Sequence, residues 1–366
     1  MNDLRRDFLK SSLFVGGSLL FPSSFVWAQG RSKYLTSAIR QLDGNYGLAI
    51  VDMKTRDYKV ISLKHRCHSM CFSKINEEIL FFDRRPGEYI YVVDGASANI
   101  RKTIVSPNDR RFYGHGCFSV DEKKLYVPAN NLETLDGVVL VYDVVNDYSL
   151  IGEFSSGGIG PHEIVRHPLK DILYICNGGL KTHPDSGREI LNLETMSSNL
   201  TVISLEAPQL QETFLIQSSK LSLRHIDINS NGDAVIGVQD KDFFPDENKS
   251  LVAFYSANNK TLEVEEVSGM VFTEVSGYVA SVAVDSNSHY AVSTCPKGDI
   301  VILWNFKEKR IIEIYDFKEA SGACFDSERN EFIVTSGQGH VIKIKNEKVE
   351  EFQKFPFQWD NHAELF

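Results

Sequence analysis

Five of the ten histidines recur at one position of a repeated sequence pattern. His115, His162, His225 and His362 each lead a short strand-like segment, and His68 lies one residue out of register with them. Imidazole is the most common side-chain ligand for Zn, Cu, Fe and Ni, so histidines brought to one point could bind a transition metal. The spacing of 47 residues from His68 to His115, and again from His115 to His162, is typical of neighbouring structural repeats.

The repeat that carries these histidines has the layout of a propeller blade. Each copy contains a short strand of small residues, a polar turn, a β-branched strand, a second turn and a third strand, and the turns are rich in Gly, Asn, Asp and Pro. A period of about 40–60 residues suits a four-stranded blade. Three full copies and three weaker ones begin, in chain order, near Arg66, Gly114, Pro161, Arg224, Ser281 and Gly322.

A seventh blade has to be shared between the two ends of the chain. Residues 34–63 supply three strand-like runs with no inner strand before them, and residues 361–366 repeat the His-led inner-strand pattern. Pairing the last strand with these three would remove both open sheet edges. The sequence therefore predicts an all-β, seven-bladed β-propeller that forms one domain over residues 29–366. The starts of its innermost strands, and with them the five histidines, converge on the central channel.

The converging histidines have three interpretations. They could form a metal site for Cu, Fe or Zn, or for haem iron. They could instead bond to neighbouring backbone around a water-filled channel, or bind a small ligand without a metal. Histidines without a carboxylate in register favour Cu or Zn over Ca or Mg. Strand alternation predicts that Glu163 lies on the face opposite His162, whereas Asp227 and Glu364 lie two residues after a histidine and face the same side as it.

A long insertion supplies a second set of candidate residues. Residues 178–199 are too long for a turn within a blade and predict an excursion on one face of the propeller. Within it, His183, Asp185 and Arg188 could bind an anionic ligand or cofactor. The alternative is that they brace the loop by internal hydrogen bonds, because Asp-Ser-Gly is also ordinary turn chemistry.

The first 28 residues resemble a twin-arginine export signal. Arg5 and Arg6 precede Phe8, Leu9 and Lys10, an uncharged run follows, and Val-Trp-Ala at 26–28 offers a cleavage site for a mature chain from about residue 29. The uncharged run is short and is interrupted by glycines and a proline, so it spans a bilayer poorly. The resemblance implies a periplasmic protein exported by the twin-arginine pathway; an uncleaved membrane anchor is the alternative.

Charge and cysteine usage exclude several function classes. The formal net charge of −10 gives no electrostatic footprint for nucleic acid. The six cysteines include no C-x-x-C motif, which argues against covalently attached haem and thioredoxin-like redox chemistry. No second segment is long and apolar enough to span a membrane, and we expect a monomer.

Six stretches of the chain carry motifs that belong together. They are Gly114–Ser119, Gly158–Glu163, Asn177–Arg188, Leu191–Met196, Leu223–His225 and Trp359–His362. Together they resemble a bacterial family of twin-arginine-exported propellers, catalogued as domain of unknown function 1513. The resemblance implies a periplasmic propeller associated with iron acquisition, with imelysin-like or haem proteins as partners, and it implies no established activity. The leading hypothesis is a metal-binding accessory protein; the alternatives are a metal-dependent oxidoreductase and a metal-free interaction scaffold.

Overall fold

The computed structural model describes residues 33–187, 189–207, 211–217, 220–242, 251–265 and 275–366. Within these residues the chain forms seven blades arranged in a ring, which confirms the predicted all-β propeller. The twin-arginine segment and Arg188 lie outside the described residues. None of the helices in the described ranges has the length and apolar character needed to cross a membrane.

The strands follow one another around the ring in chain order, and each blade is a mostly antiparallel meander. The first half of the chain contains β1 (Tyr34–Gln41), β2 (Tyr46–Asp52), β3 (Tyr58–Leu63), β4 (Cys67–Ser73), β5 (Glu78–Asp83), β6 (Tyr89–Asp94), β7 (Asn99–Val105), β8 (Arg110–Phe112), β9 (Cys117–Phe118), β10 (Lys124–Asn131), β11 (Gly137–Asp143), β12 (Ser149–Ser155), β13 (Pro161–Arg166), β14 (Ile172–Asn177), β15 (Asn199–Ser204) and β16 (Gln211–Leu215).

The second half continues the same order, and two short 3-10 helices, Pro184–Ser186 and Leu193–Thr195, lie in the long loop between β14 and β15. Its strands are β17 (Leu221–Ile228), β18 (Ala234–Asp240), β19 (Val252–Ser256), β20 (Thr261–Val264), β21 (Ser281–Val284), β22 (Tyr290–Cys295), β23 (Ile300–Asn305), β24 (Arg310–Asp316), β25 (Ala320–Asp326), β26 (Glu331–Ser336), β27 (His340–Lys345), β28 (Lys348–Lys354), β29 (Phe357–Trp359) and β30 (Glu364–Leu365).

The two ends of the described chain close the ring. Strand β1 pairs antiparallel with β29, with Ile39 opposite Trp359, and with β30, with Thr36 opposite Glu364. The first blade therefore combines β1–β3 with an inner strand from the C-terminal end. This pairing covers the inner edge of β1, so that β29 and β30 form the innermost strand of the first blade.

The burial of the strands changes from the axis of the propeller to its rim. The second strand of a blade is covered by neighbouring blades on both faces, and all six residues of β5, from Glu78 to Asp83, are buried. The fourth strand faces solvent, as in β12, where six of the seven residues are exposed and Phe154 is partly buried. The core thus lies between the blades and leaves the inner strands free to line a central channel.

Candidate metal centre and the two mouths of the channel

Irregularities in the inner strands place the histidines. The pairing of β4 with β5 shifts register between Cys67 and Met70, and that of β13 with β14 shifts between Pro161 and Glu163. A further shift, between β17 and β18, begins directly before His225. In the remaining two cases the inner strand breaks: the gap between β8 and β9 contains His115, and the gap between β29 and β30 contains His362. Such bulges re-aim a side chain out of the regular pleat, here towards the axis.

Two glycines allow His115 to reach its position. Gly114 has a φ of +96°, a conformation that L side chains rarely adopt. A Cβ at Gly116 would lie 2.4 Å from the ring of Phe82. The glycines on either side of His115 are therefore required by the local backbone conformation and packing, and they are needed for His115 to reach the axis.

The five imidazole rings pack together at the axis. The centroid of the His68 ring lies 4.9 Å from that of His115 and 4.7 Å from that of His362. The His225 ring lies 4.6 Å from that of His362 and 4.9 Å from that of His162. This confirms that the propeller brings together histidines that are as much as 294 residues apart in sequence.

Four of the five form a group that could bind one metal ion. One ring nitrogen from each of His68, His115, His225 and His362 lies within 4.8 Å of the other three, and all four side chains are buried. In a tetrahedral site with Zn–N bonds of about 2.0–2.1 Å the ligand nitrogens lie about 3.3–3.4 Å apart, so the most distant pair would have to approach by about 1.4 Å to bind one ion. We call these four residues the histidine cluster.

The histidine cluster has ring nitrogens without partners. Nδ1 of His68 and the Nε2 atoms of His115 and His362 are buried, and no hydrogen-bond partner for them lies in the described part of the chain. Buried polar atoms are normally satisfied, so three orphan imidazole nitrogens at one point are consistent with a bound ion. This is the strongest feature that separates the metal interpretation from the structural one.

Burial also keeps the cluster in the protonation state that binds metal. It lowers the pKa of His115 to about 3 and, together with the nearby His115, the pKa of His362 to about 4. The pKa values of His68 and His225 are lowered well below the usual value of 6.5 for the same reason. Neutral imidazoles at neutral pH offer lone pairs without proton competition.

Glu163 supports the cluster from the side. Its Oε2 lies 3.0 Å from Nδ1 of His225 and also accepts a hydrogen bond from the Ile226 amide, while Oε1 lies 3.5 Å from Nδ1 of His115. A carboxylate on Nδ1 of a histidine fixes the tautomer whose Nε2 carries the lone pair. In His225 this Nε2 lies 3.5 Å from the Tyr278 hydroxyl, which a metal ion would have to displace. Strand alternation alone did not predict the contacts of Glu163, because the pairing of β13 with β14 shifts register between Pro161 and Glu163.

His162 makes a different contact. Its Nδ1 lies 3.2 Å from a terminal guanidinium nitrogen of Arg224. Arginine is always a donor, so Nδ1 accepts and the proton of a neutral His162 ring is on Nε2. His162 therefore lies beside the four-residue cluster and connects it to a group of arginines, and its role as a metal ligand stays a prediction.

A basic cavity opens on the side of the cluster that is formed by His68 and His162. Its volume is about 500 Å³, and no Asp or Glu is among the described residues that line it. We call it the basic mouth. Its cationic side chains are those of Arg84, Arg85, Arg111, Arg224, Lys241 and Lys297.

An acidic cavity of about 410 Å³ opens on the side of the cluster that is formed by His225 and His362. We call it the acidic mouth, because no Lys or Arg is found among its described lining residues. Inner-strand residues that follow the histidines line it, whereas Arg224, which precedes His225, lines the basic mouth. The carboxylates of the acidic mouth are those of Glu163, Asp227, Asp285 and Glu364.

Of the two described candidate residues of the long loop, His183 faces a cavity and Asp185 faces solvent. His183 lines the basic mouth, and its Nδ1 accepts a hydrogen bond from the Asp185 amide. The Asp185 side chain is 91% exposed and does not line the cavity. Asn192 braces the loop instead: its side chain accepts from the Lys181 amide and donates to the Gly179 carbonyl.

The cysteines take no part in the cluster. All six are unpaired, and burial raises the pKa of Cys117 to about 12. Thiols in this state are poor nucleophiles and poor metal ligands.

Comparison with known proteins identifies the family and the fold. A family model described as "Protein of unknown function (DUF1513)" matches residues 61–366, and the chain belongs to this family. No curated protein matches the chain. Among solved structures, a hydrazine synthase chain from Kuenenia stuttgartiensis is similar at 12% identity and a TM-score of 0.61, over 84% of this chain and 89% of that one. A chain of a mitotic checkpoint complex is similar at 13% identity and a TM-score of 0.57, over 79% and 77%. At these identities the likeness shows the fold alone.

Proposed function

We propose that this protein binds one transition-metal ion at the histidine cluster and acts as a metal-binding accessory protein of the periplasm. The observation that carries the proposal is the convergence of four buried imidazoles with three orphan nitrogens among them. An all-nitrogen ligand set suits Cu, Zn or Fe and excludes the oxygen-rich sites of Ca and Mg.

A bare ion fits the cluster better than haem does. The five ring centroids are separated by 4.6–5.9 Å where neighbouring rings meet. A haem group bound through its iron needs a flat slot between its axial ligands, and its macrocycle is wider than these gaps. Handling of iron in this protein would therefore concern the ion or a small complex of it.

The periplasmic location and the role in iron acquisition are supported by sequence alone. The twin-arginine pattern at residues 5–10 supports export, and the family resemblance supports an association with imelysin-like or haem proteins. An oxidoreductase remains the alternative function. The specific observation in its favour is that the basic mouth gives a second molecule access to His68 at the edge of the cluster.

Metal analysis of the exported protein tests the proposal. The full chain, made without a histidine tag and recovered after native export, should contain about one equivalent of Cu, Zn or Fe by mass spectrometry. His225→Ala together with His362→Ala should lose it, whereas the matched control His340→Ala should keep it, because His340 lies on a partly exposed strand and pairs with Glu351.

Titration of the metal-free protein separates the alternatives. Co²⁺ should give visible absorption bands of a nitrogen-ligated ion, and the double variant should lack them. A wild-type protein that arrives without metal and takes up none of Cu²⁺, Zn²⁺, Fe²⁺ or Co²⁺ would refute the proposal. If added haem gives a Soret band that is lost when His225 is replaced, the ligand of the site is haem and not a bare ion.

A further inference from the structure

We propose that the basic mouth is a binding site for a small organic or inorganic polyanion with at least two carboxylate or phosphate groups. The proposal concerns a second ligand, beside the metal site, and it does not require the metal to be present. It follows from the charge, the unsatisfied donors and the shape of this one cavity.

The first observation is the concentration of unpaired positive charge. Arg85 and Lys297 form no ion pair in the described parts of the chain, although the protein as a whole has a formal net charge of −10. Among the described residues, the Lys241 side chain donates only to the neutral side chain of Gln239. Like charges held together in a partly enclosed space repel one another, so an arrangement of this kind is stabilised when an anion neutralises it.

The second observation is a set of buried donors without acceptors. Arg224 is 3% exposed, and its Nε has no partner among the described residues. The same holds for Nη1 of Arg85 and for the hydroxyl of Tyr113, whose side chain is 1% exposed. All three side chains line the cavity. Guanidinium groups bind carboxylates and phosphates through paired hydrogen bonds, which is the contact that these atoms lack.

The third observation is size. A cavity of about 500 Å³ is in the range of small-molecule sites and much larger than a single chloride or water requires. Leu180 and Ile190 of the long loop form part of its wall, and Arg85 stacks over the ring of Tyr113 at 5.5 Å. Apolar walls with charged groups at several points suit a molecule with a short carbon frame or a phosphate chain and more than one charge.

The cavity lies directly beside the histidine cluster. His68 belongs to both the histidine cluster and the lining of the basic mouth, and His162 connects the two through its contact with Arg224. A polyanion in this cavity would lie next to the metal and could supply a ligand to it. Carboxylate and phosphate compounds are also common chelators, so the bound molecule could reach the protein as a complex with a metal ion.

Calorimetry on the metal-free full chain tests the site. Tricarballylate, which has three carboxylates, and pyrophosphate are the two probes, and acetate is the monovalent control. We expect saturable binding of at least one polyanion with a stoichiometry of about one, and no saturable binding of acetate. The probe that binds more tightly identifies the class as polycarboxylate or polyphosphate.

Variants assign the binding to the cavity. Arg85→Gln and Lys297→Gln should each weaken the affinity by about tenfold, the effect of losing one charge-assisted contact. Arg310→Gln, on the outer strand of another part of the ring and paired with Glu308, should leave it unchanged. The proposal is refuted if neither polyanion binds to the wild type, or if the Arg310 variant weakens binding as much as the other two do. Because the protein is metal-free, this outcome is independent of whether the histidine cluster binds metal.

Discussion

The basic and acidic mouths lie on either side of one layer of histidines, and they differ in how their charges are partnered. In the described part of the chain, groups of the basic mouth lack partners: Nε of Arg224 has none, and the Lys241 side chain donates only to an amide. Two carboxylates of the acidic mouth are hydrogen-bonded: Glu163 contacts His225, and Asp227 accepts from the amides of Ile228 and Val284. The difference supports the proposals that the acidic side holds the metal site and that the basic side binds an anion.

Reversing charge in the basic mouth should give the largest effect. In the double variant Arg85→Glu, Lys297→Glu we expect polyanion affinity to fall by about 100-fold or more, because two attractive contacts become repulsive. Calorimetry with the better of the two polyanion probes measures this. The same double reversal at Lys309 and Arg310, which are paired with acids at the rim, should change the affinity less than threefold. Equal losses in both variants would mean that net charge, and not this cavity, governs binding.

Removing the carboxylate that supports the cluster should have the next largest effect. Glu163→Gln should weaken metal binding by about 10–100-fold, because Nδ1 of His225 loses its charged partner. Competition with a chromophoric chelator measures the affinity. Glu351→Gln removes a similar carboxylate–histidine contact at His340, away from the axis, and should leave the affinity unchanged. An unchanged metal affinity in Glu163→Gln would contradict the proposal that the acidic side supports the metal site.

The pH dependence of anion binding should be smaller. Burial and the nearby Arg224, Arg85 and Lys297 lower the pKa of Lys241 to about 6, so this side chain is largely neutral at pH 7.5 and gains its charge as the pH falls through 6. Affinity for 1,2-ethanedisulfonate, whose own charge does not change in this range, should therefore rise on the order of tenfold from pH 7.5 to pH 5.5.

His183 also faces the cavity, so two variants assign the titrating group. Lys241→Met should abolish most of the pH dependence, and His183→Gln should retain it. The opposite result, in which only His183→Gln removes the dependence, would move the titrating group to the long loop.

The smallest effect concerns the route of the metal ion. Glu364 lines the acidic mouth, and burial together with the nearby Asp227 and Glu163 raises its pKa to about 8. It is therefore mostly charged only above pH 8, where attraction to it should speed the approach of a divalent cation. In stopped-flow measurements at pH 8.5 and low salt, Glu364→Gln should slow the association of Co²⁺ by about two- to fivefold, and added salt should reduce the difference. Glu313→Gln, on the outer strand β24, serves as the control. An identical rate in both variants would mean that the ion does not enter from this side.

Most of the fold could be predicted from the sequence, because a local sequence pattern that specifies one blade is repeated along the chain. Small inner-strand residues, a β-branched second strand and turn residues recur along the chain, and each copy specifies the same four-stranded unit. Closure by residues 361–366 also followed from the pattern, since a His-led inner strand at the C-terminal end matched the blade that lacked one at the N-terminal end. The family assignment rested on the same local motifs.

The sequence predicted where the histidines lie in the fold, but it did not predict which contacts each of them makes. Their repeat register predicted that they meet at the axis, and they do. Which four form the cluster depends on the bulges that rotate each inner strand, and a bulge shifts every later side chain to the other face without a reliable mark in the sequence. This is why the contacts of Glu163 with His225 and His115, and the contact of His162 with Arg224, could not be predicted.

The basic mouth was decided by the tertiary structure alone. Its cations come from turns and from an inner strand in separate blades, so Arg85, Arg224 and Lys297 share no sequence motif, and the net charge of the chain is negative. What the sequence determined by itself was the unit and its repetition, since these depend on residues close together along the chain. Charge separation across the histidine layer depends on how seven units meet around an axis, because only that arrangement brings distant side chains within the few ångströms over which they bind or repel one another.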